Sequence, residues 1–171
     1  SKFMLMMDPM LKQVGTADKI RASLTDRGID FFTFDSIPAD ADSKVVSDAL
    51  TLAREAHVHG IIAAGGGKTL SLARAVSALY GESRDVYDFL DGTAPSAAPL
   101  PLIALSTTPR DAFLFTGSTP VIDARSSRLK LIQTPAGLCK LALFDPNLTV
   151  TLSANQSAAM ALEILCMATE A

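Results

Sequence analysis

Gly65, Gly66 and Gly67 follow directly on the apolar run Gly60-Ile61-Ile62-Ala63-Ala64 and lead into Lys68-Thr69-Leu70-Ser71. Consecutive glycines after a buried strand let the backbone adopt positive φ and let a ligand approach closely. The helix that follows offers unpaired N–H groups and the positive end of its dipole, a combination that suits a diphosphate. The same residues also read as a tight strand-to-helix turn with no ligand. Two common phosphate-binding spacings fail here. G-x-x-x-x-G-K-[ST] would require a glycine where Ile62 stands, and the third glycine of G-x-G-x-x-G would fall at Leu70. The second pattern also normally follows the first strand of its fold, whereas these glycines follow the third.

Other residues with chemical potential have simpler readings. His57-Val58-His59 alternates as metal ligands on a strand do, but it sits at a helix end, where histidines complement the dipole. Cys139 and Cys166 are far apart with no paired-cysteine spacing, and they read as reduced thiols. Glu163 in an apolar helix signals a carboxylate paired with a Lys or Arg elsewhere.

The glycine turn needs a scaffold, and the first half of the chain supplies an alternation of strand and helix. Phe3 to Met7 is a fully apolar run closed by Asp8-Pro9, as in a buried parallel strand. A helix follows with Thr16 as its cap, Ala17, Ile20 and Leu24 on one face, Arg27 in its last turn and Gly28 as a left-handed stop. Ile29 to Phe34 is the second strand and ends at Asp35. The Pro38/Asp40/Asp42/Ser43 loop caps the next helix, whose apolar face is Val45, Val46, Ala49, Leu52, Ala53 and Ala56. After the third strand and the glycines, Thr69 caps a helix with the stripe Leu72, Ala73, Val76, Leu79 and Tyr80, stopped by Gly81. Short connections in this alternation imply right-handed βαβ crossovers and a parallel sheet covered on both faces, a three-layer Rossmann-like α/β domain.

Beyond that point Ser83 to Pro101 reads as an irregular connection, Leu102 to Leu105 as a buried strand, Phe113 to Ile122 with Lys130 to Gln133 as a hairpin, and Leu141 to Phe144 as a last strand. A Ser153/Gln156 capping box opens the final helix. Residues 1–152 therefore form the α/β domain and 153–171 a separate helix. That helix is apolar nearly all round, which calls for cover on several sides by a partner chain or by a longer architecture. A homodimer through this helix or through a sheet edge is the corresponding expectation.

With 171 residues, 49% apolar and 19% charged, the chain can bury one sizeable core. A net charge of -3 and the lack of Lys/Arg runs interleaved with aromatics argue against nucleic-acid binding. No signal peptide or transmembrane run is apparent, so no membrane association and a cytoplasmic location are expected.

The segment Ile61-Ile62-Ala63-Ala64-Gly65-Gly66-Gly67-Lys68-Thr69-Leu70-Ser71-Leu72-Ala73-Arg74-Ala75 resembles the GGG-[SK]-x-x-D-x-A-K-A stretch of the iron-containing alcohol dehydrogenase superfamily, in the wording of its glycerol dehydrogenase branch. Further landmarks follow in order. Asp35 ends the second strand, and Pro101-Leu102-Ile103-Ala104-Leu105-Ser106-Thr107-Thr108 is similar to P-L-I-x-x-P-T-T. Lys130 follows Val121-Ile122-Asp123, and Asp145-Pro146-Asn147-Leu148-Thr149 matches D-P-x-L-T. The resemblance implies an NAD(P)-binding N-terminal domain of an oxidoreductase, with Asp35, Gly65, Gly66, Gly67, Lys68, Ser71, Thr107, Thr108 and Lys130 at the cofactor. It also implies a helical C-terminal domain, which the helix over 153–171 would begin and which supplies most of a metal site. Asp35 equally reads as a loop cap, and Lys130 as a surface lysine. As a ribose ligand, Asp35 favours NAD over NADP, because a carboxylate accepts the 2′-hydroxyl and repels a 2′-phosphate.

The sequence departs from the family at its chemistry. The family's D-A-L-x-H-A-I-E-A helix carries two metal ligands one turn apart, and alignment on the end of this chain places Glu163 and Met167 there. A thioether is a poor ligand for Fe²⁺ or Zn²⁺ beside imidazole, so no resident metal is expected in this chain. Pro109-Arg110-Asp111-Ala112-Phe113 replaces the small residues after Thr107-Thr108, and Ser71 replaces an aspartate. The expected function is thus the dinucleotide-binding part of an alcohol dehydrogenase-like protein, either an excised domain or a catalytically impaired homologue. The alternatives are a non-catalytic nucleotide- or partner-binding module and a phosphate-binding NTPase using Lys68.

Overall fold

The computed structural model describes residues 1–111, 113–135, 138–150 and 152–170. Ala112 in the altered stretch and Ala171 at the chain's end lie outside the described residues.

Seven strands and six helices follow in the order β1 (Lys2–Met7), α1 (Met10–Gln13), α2 (Thr16–Thr25), β2 (Asp30–Phe34), α3 (Ser43–Glu55), β3 (Gly60–Gly65), α4 (Gly67–Leu79), α5 (Val86–Leu90), β4 (Leu102–Ser106), β5 (Ser118–Asp123), β6 (Arg128–Gln133), β7 (Cys139–Phe144) and α6 (Ala154–Glu170). A 3₁₀ turn at Pro146–Leu148 separates β7 from α6. Five strands make a parallel sheet in the order β2-β1-β3-β4-β7, while β5 and β6 pair as an antiparallel hairpin.

Register divides the apolar strand residues between two faces. Met4 pairs with Ile61 and Met6 with Ala63 on one side, where α3, α4 and α5 pack; Leu5 pairs with Ile62 and Met7 with Ala64 on the other, under Leu11 and Ala17. Both faces are covered, as the unbroken apolar runs demand. Strand order reverses between β1 and β3, so the carboxyl ends of these strands form the crevice where open α/β sheets place ligands. The Asp8 amide closes the base of that crevice by donating to the Ala64 carbonyl at 2.9 Å.

Several local expectations need correction. Thr16 begins α2 and does not cap it; Gly15, at φ +72°, holds the cap position. Thr69 is likewise internal to α4, which starts at Gly67 behind the cap residue Gly66. Asp42 does cap α3, accepting from the Lys44 amide, but Leu50 takes the buried place expected for Leu52, which is 43% exposed. The supposedly irregular Ser83–Pro101 stretch contains α5, set by a reciprocal capping box between Asp85 and Asp88. From Thr69 to Leu79 every α4 residue is buried, because the helix lies between the sheet and the hairpin instead of facing solvent with one side.

The last helix starts at the expected box, with the Ser153 amide donating to Gln156 Oε1 at 3.0 Å. None of its described residues is buried, and Leu162, Leu165 and Met167 are exposed. The β7 edge is also apolar and open, at Leu141, Leu143 and Phe144. Among the described residues no helix is long and apolar enough to cross a membrane.

Candidate functional site

The glycine turn joins the carboxyl end of β3 to α4, and each glycine there has a different steric position. A Cβ on Gly65 would lie 2.7 Å from Thr69 Cβ, and one on Gly66 would lie 3.2 Å from Thr108 Cγ2. A Cβ on Gly67 would meet nothing within 4 Å. Close packing therefore demands the first two, whereas Gly67 borders open space. The Leu70 amide makes the first helical bond, to the Gly66 carbonyl at 3.0 Å, and among the described residues no side chain caps the helix. The N–H groups of the first turn are left for a ligand or water. Thr69 Oγ1, fully buried beside Gly65, has no partner among the described residues.

The β4 loop closes against this turn. Thr107 donates its amide to the Gly65 carbonyl at 3.0 Å, and Ser106 Oγ donates to the Thr108 carbonyl at 2.8 Å. Gly67, Lys68, Ser71 and Thr108 then line a cavity of about 450 Å³ together with Arg110, Asp111 and Phe113, the hairpin residues Pro120 to Ile122 and Leu129, and Met160 and Glu163 of α6. A glycine-rich helix start, Ser71, Thr108 and a basic side chain thus share one concave wall, an arrangement that fits a dinucleotide's diphosphate.

Of the other sequence-predicted residues, Asp35 and Lys130 do not line this cavity, and Lys68 lines it with its ammonium turned to another element. The Lys68 ammonium donates to the carbonyls of Pro38 at 2.9 Å and Ala39 at 3.4 Å, tying the loop after β2 to the start of α4. Asp35 Oδ2 receives Lys12 at 2.6 Å and Arg21 at 3.1 Å. Lys130 bridges Asp91 at 2.8 Å and the buried Asp123 at 2.9 Å, and Arg125 binds the same two carboxylates. These bonds hold Asp91 down at about 2 and Asp123 well below the usual carboxylate range, and they raise Lys130. Lys130 therefore joins β6 to β5 and to the residue after α5. His59 Nδ1 accepts the Lys2 amide at 3.2 Å, and His57 Nδ1 lies 2.9 Å from the Glu55 carbonyl, so the two histidines serve separate backbone contacts.

Glu163 pairs with Arg110, the residue that enters where small side chains were expected. A carboxylate held by a guanidinium and a thioether at Met167 do not fit a divalent metal, and among the described residues no three His, Cys, Asp or Glu side chains are grouped to hold one.

Sequence reasoning missed Arg74. It is 1% exposed and spreads its guanidinium over the carbonyls of Phe113, Thr116 (2.6 Å) and Ser118 (3.2 Å) and over Thr134 Oγ1 (3.3 Å). Burial lowers its proton affinity, offset in part by the Asp111 carboxylate, and the same burial pushes Asp111 up. Arg74 fixes the loop that forms one wall of the cavity. Its signal was available as a lone arginine amid the apolar stripe of α4.

Comparison with known proteins agrees with this geometry. The family model for iron-containing alcohol dehydrogenase matches residues 1–146. The chain is 28% identical over its whole length to the probable alcohol dehydrogenase EutG of Salmonella typhimurium and spans 43% of that protein. It is 29% identical to the mitochondrial hydroxyacid-oxoacid transhydrogenase of Xenopus laevis, covering 97% of this chain and 37% of that one. Among solved structures, the NADH-dependent butanol dehydrogenase A of Thermotoga maritima superposes with a TM-score of 0.84 at 22% identity, over 94% of this chain and 40% of that one. The sulfoacetaldehyde reductase of Bifidobacterium kashiwanohense, solved in complex with NAD⁺, gives 0.84 at 19% identity, over 96% and 43%. The chain thus spans less than half the length of these relatives. With a family model covering most of its residues and the glycine turn, β4 loop and sheet order in place, the chain belongs to the iron-containing alcohol dehydrogenase family.

Proposed function

We propose that residues 1–152 bind NAD or NADP as the nucleotide-binding part of an alcohol dehydrogenase-like oxidoreductase, with the diphosphate over Gly65, Gly66 and Gly67. The observation that carries this reading is the uncapped start of α4 beside the open face of Gly67. The NAD⁺ bound by the Bifidobacterium reductase supports it further. The whole protein's reaction would be reversible hydride exchange between a nicotinamide and an alcohol/aldehyde pair, the oxidised dinucleotide accepting the hydride from the alcohol and the reduced one returning it to the aldehyde. This polypeptide by itself would turn over no alcohol, because Arg110, Glu163 and Met167 offer no divalent-metal site.

Calorimetric titration with NAD⁺, NADP⁺ and ATP–Mg²⁺ tests the reading. Saturable dinucleotide binding is expected. Preference for ATP–Mg²⁺ would favour an NTPase, and no nucleotide binding would favour a module that serves partners only. Lys68 gives the NTPase little support, since its ammonium is engaged by Pro38 and Ala39. Robust turnover of alcohols after adding Fe²⁺ or Zn²⁺ would overturn the inactivity of this polypeptide.

The exposed apolar residues of β7 and α6 favour association as well. A second copy of the chain covering them is the expected arrangement, and sedimentation of a strictly monomeric species would contradict it.

A further inference from the structure

We propose that Lys12 and Arg21 turn the adenosine end of this site into one that accepts a 2′-phosphate as well as a free 2′-hydroxyl, so that the chain binds NADP as readily as NAD. This inference rests on the dinucleotide reading above. A carboxylate at the end of β2 excludes NADP only while its charge is uncompensated. Here Asp35 Oδ2 lies 2.6 Å from Lys12 Nζ and 3.1 Å from Arg21 Nη2, with the Asp35 side chain 20% exposed. At such separations the two cations offset the charge of Asp35. Among the described residues Asp18 is the other acid bonded to the group, 3.3 Å from Arg21 Nη1 and 84% exposed, so the cluster carries two cations against two carboxylates and no net negative charge.

Placement agrees with the charge count. Lys12 lies on α1 and Arg21 on α2, the helices that follow β1, while Asp35 directly follows β2, the neighbour of β1 in the sheet. The Lys68 contact fastens the loop after Asp35 to the glycine turn. The cluster and the diphosphate cradle therefore share the carboxyl edge of the sheet. Lys12 is 51% exposed, free to turn its ammonium onto a phosphate, and the planar fork of Arg21 suits phosphate oxygens. Asp35 Oδ1 has no hydrogen-bond partner among the described residues, which leaves it able to accept the 2′-hydroxyl of NAD.

Calorimetry with NAD⁺ and NADP⁺ on the full 171-residue chain decides the matter, using the wild type and a Lys12→Met, Arg21→Met double variant whose folding is checked by thermal melting. The wild type should bind the two dinucleotides with affinities within about tenfold, and the double variant should shift their ratio toward NAD by about tenfold or more. A larger wild-type preference for NAD, or a ratio unchanged in the variant, overturns the inference and leaves the dinucleotide reading intact. Binding of neither dinucleotide overturns that reading and this inference with it. If the double variant does not fold, Lys12→Met, altering a half-exposed surface residue, should still shift the ratio by about threefold, and no shift overturns the inference.

Discussion

The Thr107 amide donates to the Gly65 carbonyl at 3.0 Å, locking the loop that leaves β4 onto the turn that leaves β3. Together with the pairing of Gly65 opposite Ser106, that bond sets Thr108 beside the glycine turn, where its methyl group limits what position 66 can hold.

Gly67 and Gly65 should separate stability from binding. Gly67→Ala places a methyl group in open space at the first helical position, so stability should change by less than about 1 kcal/mol while NAD affinity falls, because the methyl group occupies the ligand's approach. Gly65→Ala forces a contact with Thr69 and should cost on the order of 1–3 kcal/mol in folding. Denaturant melts and calorimetry on the two variants check both halves; equal effects on both quantities in both variants would contradict the assignment.

Arg74 should behave as a structural residue of high cost. Arg74→Met removes the buried guanidinium that the carbonyls of Phe113, Thr116 and Ser118 share and should destabilise the fold by on the order of 3 kcal/mol. Arg74→Lys keeps the charge but loses the fork, and should recover only part of that. Urea denaturation measures both, and a loss below about 1 kcal/mol would show that the loop holds without it.

Lys130 should matter for stability and little for dinucleotide affinity. Its ammonium already serves Asp91 and Asp123, so Lys130→Met should lower the melting temperature and leave the NAD Kd within about twofold. A tenfold weaker Kd at an unchanged melting temperature would return Lys130 to the cofactor site.

The same network sets an acid dependence. Asp91, depressed to about 2 by Arg125 and Lys130, contributes stability that is complete above the ordinary carboxylate range near about 4 and is lost as the pH falls through its folded value. Lys130 is raised, so its contribution is complete below the ordinary lysine range and lost only as the pH climbs past its folded value. Melting temperatures should therefore fall more steeply between pH 4 and 2 in the wild type than in Asp91→Asn, and parallel slopes would contradict the network's role.

Local patterns carried much of this fold and less of the site. The apolar runs Phe3 to Met7 and Gly60 to Ala64 show two-sided burial directly, and the glycines mark the turn because no other residue type fits at 65. Thr69 misled because its hydroxyl suits a cap, whereas the chain already turns helical at Gly67 and buries that hydroxyl against Gly65. Helix α5 hides in a segment of Asp, Ser, Ala and Pro, and its five residues are too few to show a period. The partners of Asp35 and Lys130 are set by tertiary geometry: Asp91 is 39 residues from Lys130, and Arg21 is 14 from Asp35.

The most direct test of the diphosphate cradle is the nitrogen–proton amide spectrum of the chain titrated with NAD⁺ and, separately, with inorganic pyrophosphate. The expected result is that both ligands shift the amides of Gly66, Gly67, Lys68 and Thr69 most, with NAD⁺ also moving the surroundings of Asp35. Saturation by NAD⁺ that leaves those four amides unmoved, or no response to either ligand, would contradict it.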